Sequence, residues 1–153
     1  MATMRLDFVS QDHMVFTGEV REITAPGAEG VLGILPRHAP LITVLNPGEV
    51  VVKRDGEPDL FFAVSGGWME VMPNHVTILA RTAERSDEID VQRAEAARAR
   101  AAELLAQGVE REARVGLEMQ IRRSEIRMRV GRRRGSAWRG TPGAGQDTQT
   151  RIE

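Results

Sequence analysis

From Met4 to about Arg81, apolar residues alternate with polar ones or come in short runs, and turn formers break the pattern every several residues. Such a rhythm predicts short, half-buried strands. Met4, Leu6 and Phe8 fall on one face of a first strand, and Met14 to Phe16, Val20 to Thr24 and Val31 to Leu35 supply the next three. Pro26-Gly27, Asn46-Pro47-Gly48 and Asp55-Gly56 each predict a reversal. The last is a hairpin signal, because Asp and Gly tolerate positive φ between Val50–Val52 and Leu60–Phe62. Pro73-Asn74 predicts another, joining Trp68–Met72 to Val76–Ala80. With no helical period between them, these strands point to an antiparallel sandwich or barrel.

Past Arg81 the period changes. Between Asp90 and Gln107 the chain reads VQRAEAARARAAELLA, with Ala94, Ala97, Ala101 and Leu104 at 3-4-3 spacing, which predicts a helix stopped by Gly108. Glu110 to about Val130 predicts a second, with Leu117, Ile121, Ser124 and Met128 in one stripe and Met119, Ile126 and Val130 beside it. The short connection makes them antiparallel neighbours. From Gly131 the segment GRRRGSAWRGTPGAGQDTQTRIE has no apolar period and is expected to be disordered, with only Trp138 able to dock. The expected units are therefore a strand domain over 1–86, a helical hairpin over 87–130 and a tail over 131–153.

Charge divides the chain in the same place. Residues 1–87 hold 7 basic and 12 acidic groups, whereas 88–153 hold 14 basic and 10 acidic. Lys53 is the single lysine, so the basic end is an arginine surface suited to carboxylates or phosphates. A solvated helix face plus tail accounts for it equally, and the RRR cluster suits nucleic acid or an acidic partner as well as solvent. The chain has no cysteine, which rules out disulfides and thiolate metal sites and fits a reducing compartment. No basic segment with an apolar run opens the chain, and no 18-residue apolar stretch could span a bilayer.

Catalytic patterns are few. His13, His38 and His75 have no paired spacing. The AVSGGW run around Ser65 lacks the glycine that a nucleophile elbow places two positions before the serine, its strand is expected to continue through Trp68, and Gly66-Gly67 read as a bulge or close backbone contact. Gly27, Gly30 and Gly33 are spaced like a phosphate cradle, but Pro36 and Pro40 leave no helix N-terminus to receive an anion. What remains in PGAEGVLGILPRHAPL is a stiff loop carrying apolar side chains, as a protein-docking surface requires; otherwise Val31, Ile34 and Leu35 are core strand residues.

PGAEGVLGILPRHAPL, then NPGEV, VSGGWMEVMPNHVTILA and EIDVQRAEAARARAAELL, occur in an order and spacing that resembles the epsilon subunit of bacterial F-type ATP synthase, called delta in mitochondria, over residues 4 to about 107. The resemblance implies an N-terminal antiparallel β-sandwich of two five-stranded sheets and a C-terminal antiparallel helical hairpin. It implies a non-catalytic place in the central stalk during proton-driven ATP synthesis, at the cytoplasmic face of the bacterial plasma membrane and peripheral to it. The expected partners are the gamma subunit, the c ring and, through the hairpin, the alpha/beta catalytic head, with no nucleic acid and no required cofactor. Val31, Leu32, His38 and Leu41 are the candidate interface residues. The hairpin is expected to permit ATP hydrolysis when folded on the sandwich and to inhibit it when extended, and Arg122, Arg123, Arg127 and Arg129 are candidates for the inhibitory contacts. Ile89, Asp90, Arg93 and Ala94 match the I/L-D-x-x-R-A motif that binds ATP in some epsilon subunits, so ATP enters as a regulatory ligand. Helix capping by Asp90, with Ile89 and Ala94 as a hydrophobic staple, explains every motif residue but Arg93 without it. The second helix departs from the alanine-rich form of the family.

Overall fold

The computed structural model describes residues 1–137, with side chains through Arg133; the rest of the expected tail, Trp138 included, lies outside the described residues. Ten strands come first: β1 Met4–Ser10, β2 Met14–Val20, β3 Glu22–Gly27, β4 Gly30–Ile34, β5 Leu41–Leu45, β6 Gly48–Arg54, β7 Glu57–Val64, β8 Gly67–Met72, β9 His75–Ala80 and β10 Ala83–Arg85. A single 3₁₀ turn, Ser86–Glu88, leads into α1 Val91–Ala106 and α2 Arg111–Ala137.

The strands form two five-stranded halves of a sandwich, β10-β7-β6-β3-β4 and β5-β8-β9-β1-β2, joined at one edge by the pair Gly27↔Leu45. Alternation decides what lies between them. Met4, Leu6 and Phe8 of β1, Val50 and Val52 of β6, Met69 and Val71 of β8, and Val76 and Ile78 of β9 are all buried in one core. Phe8 and Phe62 span it edge to face, with ring centroids 5.0 Å apart.

Four details differ from the sequence expectation. The sandwich is not wholly antiparallel, because β1 and β9 pair in parallel. Pro26-Gly27 is not the reversal: both lie in β3, and the chain turns at Ala28-Glu29, where Gly27 pairs with Gly30. Pro26 is tolerated because its carbonyl still accepts from Asn46 N at 2.8 Å while its ring nitrogen has no N–H that would need an acceptor. The strand expected to run on through Ser65 ends at Val64; Ser65-Gly66 carries the chain from one half to the other. There Gly67 has φ +152, and a Cβ on it would sit 2.1 Å from the carbonyl oxygen of Leu79, so the two backbones touch where only glycine fits. The fourth difference is the end of α2. The helix runs through Gly131 and the arginine cluster to Ala137, where disorder was expected.

On the outer side of β1, Asp7 accepts from Thr17 Oγ1 at 2.6 Å and lies 2.8 Å from Nε2 of His75. These two hydrogen bonds, with help from Arg5, hold its carboxyl below the usual aspartate range. A lowered folded pKa gives stability that is complete above the unfolded value and is lost as pH falls through the folded one. Asp7→Asn is therefore expected to flatten the acid limb of a Tm-against-pH curve below about pH 4. An unchanged slope there would remove Asp7 from the acid response.

Candidate functional site

The helical hairpin folds back on the sandwich. Its first helix starts at Asp90, whose carboxylate accepts from the backbone N–H of Arg93 at 3.0 Å. Ile89 and Ala94 on either side are buried. Ile89 joins Ala63, Ile126 and Val130 in a second, smaller apolar cluster, with Phe61 and Val91 packed against it. Of the expected stripe on α1, Ala94 and Ala101 are buried, Ala97 is half-buried and Leu104 is exposed. On α2, Ser124, Ile126, Met128 and Val130 are buried, whereas Met119 is exposed.

The contacts of α2 show how it lies. Arg127 Nε donates to Glu84 of β10 at 3.0 Å, Ile126 packs on Ala63 of β7, and Arg133 reaches Glu49 of β6. Six residues of helix rise about 9 Å, close to two strand spacings of about 4.8 Å. The helix thus runs across β10, β7 and β6 and covers their outer side.

Between the hairpin and the sheet edge is an open cavity of about 460 Å³. Arg93 reaches it from α1, Arg123 and Arg127 from α2, and Ser65, Thr82 and Glu84 from the sandwich. Ser65 Oγ accepts from Thr82 N at 3.1 Å and from its hydroxyl at 2.8 Å, fixing both side chains at the rim. Three guanidinium groups against one carboxylate give the cavity a net positive lining, with Arg127 paired to Glu84. Of the motif residues only Arg93 lines this space; Asp90 is engaged in capping, and Ile89 and Ala94 serve packing. The four candidate inhibitory arginines divide in the same way. Arg123 and Arg127 line the cavity, while Arg122 and Arg129 are exposed.

Among the described residues, nothing covers the opposite outer face. Register places Val44, Trp68 and Leu79 in one cross-strand row over β5, β8 and β9, with Ile42 beside Glu70 in the next row. Trp68 is 54% exposed, Leu79 53% and Ile42 68%, a contiguous apolar surface. A shallow hollow of about 260 Å³ lies among Ile42, Trp68 and Leu79. The candidate interface residues fall elsewhere. Val31 on β4 is exposed, but Leu32 and Leu41 pack against the core, and His38 is half-buried with Nδ1 2.7 Å from the carbonyl oxygen of Ala39. Most of the stretch PGAEGVLGILPRHAPL is hairpin strand, with a turn at residues 28–29 and a loop only at residues 35–40. Among the described residues no cluster of His, Cys, Asp or Glu could hold a metal, and no helix is long and apolar enough to cross a membrane.

The profile described as ATP synthase, Delta/Epsilon chain, beta-sandwich domain, matches residues 3–86. The chain belongs to the ATP synthase delta/epsilon family. Curated relatives extend the likeness into the hairpin. The epsilon chain of Herpetosiphon aurantiacus is 45% identical over 131 residues, 86% of this chain and 96% of that one. The epsilon chain of Desulforamulus reducens is 47% identical over 126 residues, 81% of this chain and 88% of the relative. This epsilon-type chain is thus an accessory, non-catalytic subunit of ATP synthase. Its fold recurs in a chain of the Euglena gracilis mitochondrial ATP synthase OSCP/F1/c-ring structure, with TM-score 0.69, 24% identity, and coverage of 90% of this chain and 82% of that one. A chain of the Tetrahymena thermophila mitochondrial ATP synthase central stalk and c ring gives TM-score 0.57 at 16% identity, covering 85% and 97%.

Proposed function

We propose that this epsilon-type subunit seats the gamma subunit on the bare face of β5, β8 and β9, rests against the c ring, and transmits rotation in proton-driven ATP synthesis at the cytoplasmic face of the membrane. The unequal treatment of the two outer faces carries the reading. On one, the chain's own α2 covers β10, β7 and β6; on the other, equally sheet-built, a tryptophan and three aliphatic side chains stay exposed among the described residues. Such a face is suited to an apolar partner surface that stays in place while the hairpin moves. A chain ending at Asp87 is expected to co-purify with gamma as well as the full chain does, because the sandwich core is separate from the small cluster under α2. Loss of gamma on that truncation, with the sandwich still folded by circular dichroism, would move the docking surface to the hairpin.

The hairpin is the regulatory part. Extended from the sandwich, α2 offers Arg122 and Arg129 to acidic segments of the alpha/beta head and inhibits hydrolysis. A second reading concerns the cavity. ATP bound there joins Arg93, Arg123 and Arg127 to the sandwich rim, and so favours the docked hairpin. A ligand at about 100 times its dissociation constant that binds only the docked form shifts the balance by about 2.7 kcal/mol. That shifts a two-state hairpin about a hundredfold toward the docked form.

A further inference from the structure

The carboxyl end of α2 does more than continue the helix. Gly131 is buried at the point where α2 meets the start of α1: a Cβ there would lie 2.6 Å from Val91 Cγ2 and 3.0 Å from Ile89 Cγ2. Two residues on, Arg133 grips β6 and β7 together. Its Nε and one terminal nitrogen donate to the two oxygens of Glu49 at 3.3 and 3.2 Å, and its guanidinium lies 5.5 Å from the centroid of the Phe61 ring. The Glu49 side chain is 13% exposed and that of Arg133 48%, so the carboxylate end of the pair is shielded while the guanidinium is half in water. Neither contact touches the arginine-lined cavity.

We propose that Gly131 and Arg133, with Ile89, Val91, Glu49 and Phe61, form a clasp that holds the hairpin docked without any nucleotide. The proposal rests on the reading that the hairpin moves. Its logic is geometric. The 3₁₀ turn, Ile89 and Asp90 link sandwich to hairpin, and α2 can leave the sheet only by withdrawing Gly131 from Ile89 and Val91 and Arg133 from Glu49 and Phe61. Glycine permits the first contact because any side chain would push α2 off the linker. Arginine suits the second because one planar group serves a bidentate carboxylate and an aromatic face at once. The clasp makes docking the resting state of this chain, and a ligand in the cavity only adds to it.

The chain has no native cysteine, so spin labels at Asp12→Cys and Glu103→Cys report the sandwich-to-hairpin distance in the full chain by double electron–electron resonance. Without nucleotide the parent chain is expected to give one docked distribution. Arg133→Glu is expected to raise the ratio of undocked to docked chains about tenfold. Gly131→Leu should raise it further, and the charge-reversed pair Glu49→Arg with Arg133→Glu should restore most of the docked fraction. Arg132→Glu makes the same charge change at an exposed neighbour and should leave the distribution alone. Far-ultraviolet circular dichroism and the melting of each variant confirm that the sandwich is folded. An undocked population already present in the parent and unchanged by Arg133→Glu overturns the clasp and leaves the mobile hairpin standing. Absence of any undocked population, even with Gly131→Leu, overturns both.

Discussion

Trp68→Glu is expected to weaken gamma binding by at least about a hundredfold while changing the stability of the isolated chain little. The side chain is half exposed at the centre of the Val44–Trp68–Leu79 row, on the face that the core does not use. Truncating a tryptophan at the centre of an interface commonly costs about 2 kcal/mol or more, and a carboxylate enclosed without a partner adds several kcal/mol in the same direction. On the free protein the same carboxylate points into water, so the melting temperature should move by no more than a few degrees. Val31→Glu makes the complementary test, since Val31 is 75% exposed on β4, away from that row. Affinity measured by calorimetry or surface capture with purified gamma ranks the two. If Val31→Glu abolishes binding and Trp68→Glu does not, gamma sits on β4 and the bare face has another use.

The residues that made the docking face hard to read are those that make it work. Along β5 the sequence Leu41-Ile42-Thr43-Val44-Leu45 has apolar residues at both parities, and a strand apolar on both sides reads as continuous core. Only the sheet pairing tells which parity faces out, and that pairing joins β5 to β8 across more than twenty residues. Local chemistry was more legible. Asp55-Gly56 makes the β6–β7 turn, Pro73-Asn74 makes the β8–β9 turn, and Asp90 caps α1, because each is decided within four or five residues. Pro26-Gly27 misleads for a related reason. Proline and glycine together suggest a turn, yet here Asn46, just past the end of β5, supplies the hydrogen bond to the proline carbonyl, a long-range fact. The parallel pairing of β1 with β9 is similarly invisible, since residues 5–10 meet residues 75–80.

The end of α2 failed for a different reason. Gly131 and three arginines carry low apolar content, and periodicity reads them as solvent-borne tail. Their partners, Glu49, Phe61, Ile89 and Val91, are contributed by other elements, so the helix is extended by tertiary contact rather than by propensity. The cavity combines both cases. Arg93 stands out from its spacing to Asp90, whereas Ser65, Thr82 and Glu84 carry no local mark and are gathered only by the crossing from β7 to β8 and the pairing of β10 with β7.

Arg123→Ala and Arg93→Ala are each expected to weaken ATP binding about ten- to a hundredfold in calorimetric titration of the full chain with Mg-ATP. A hydrogen bond from a charged donor to a phosphate is worth about 1.5–3 kcal/mol, and each of these arginines enters the cavity from a different helix. Arg127 is a poorer probe, because its bond to Glu84 also fastens α2 to β10, and its loss would mix docking with binding. Arg122→Ala is the control: it is adjacent in sequence, exposed and absent from the cavity lining, so the affinity should stay within about twofold. If Arg122→Ala weakens binding as much as Arg123→Ala does, the effect is general charge and the cavity is not the site. If the parent chain itself gives no saturable heat at millimolar Mg-ATP, the nucleotide reading falls. The hairpin would then be governed by its contacts with the sandwich and with the catalytic head alone.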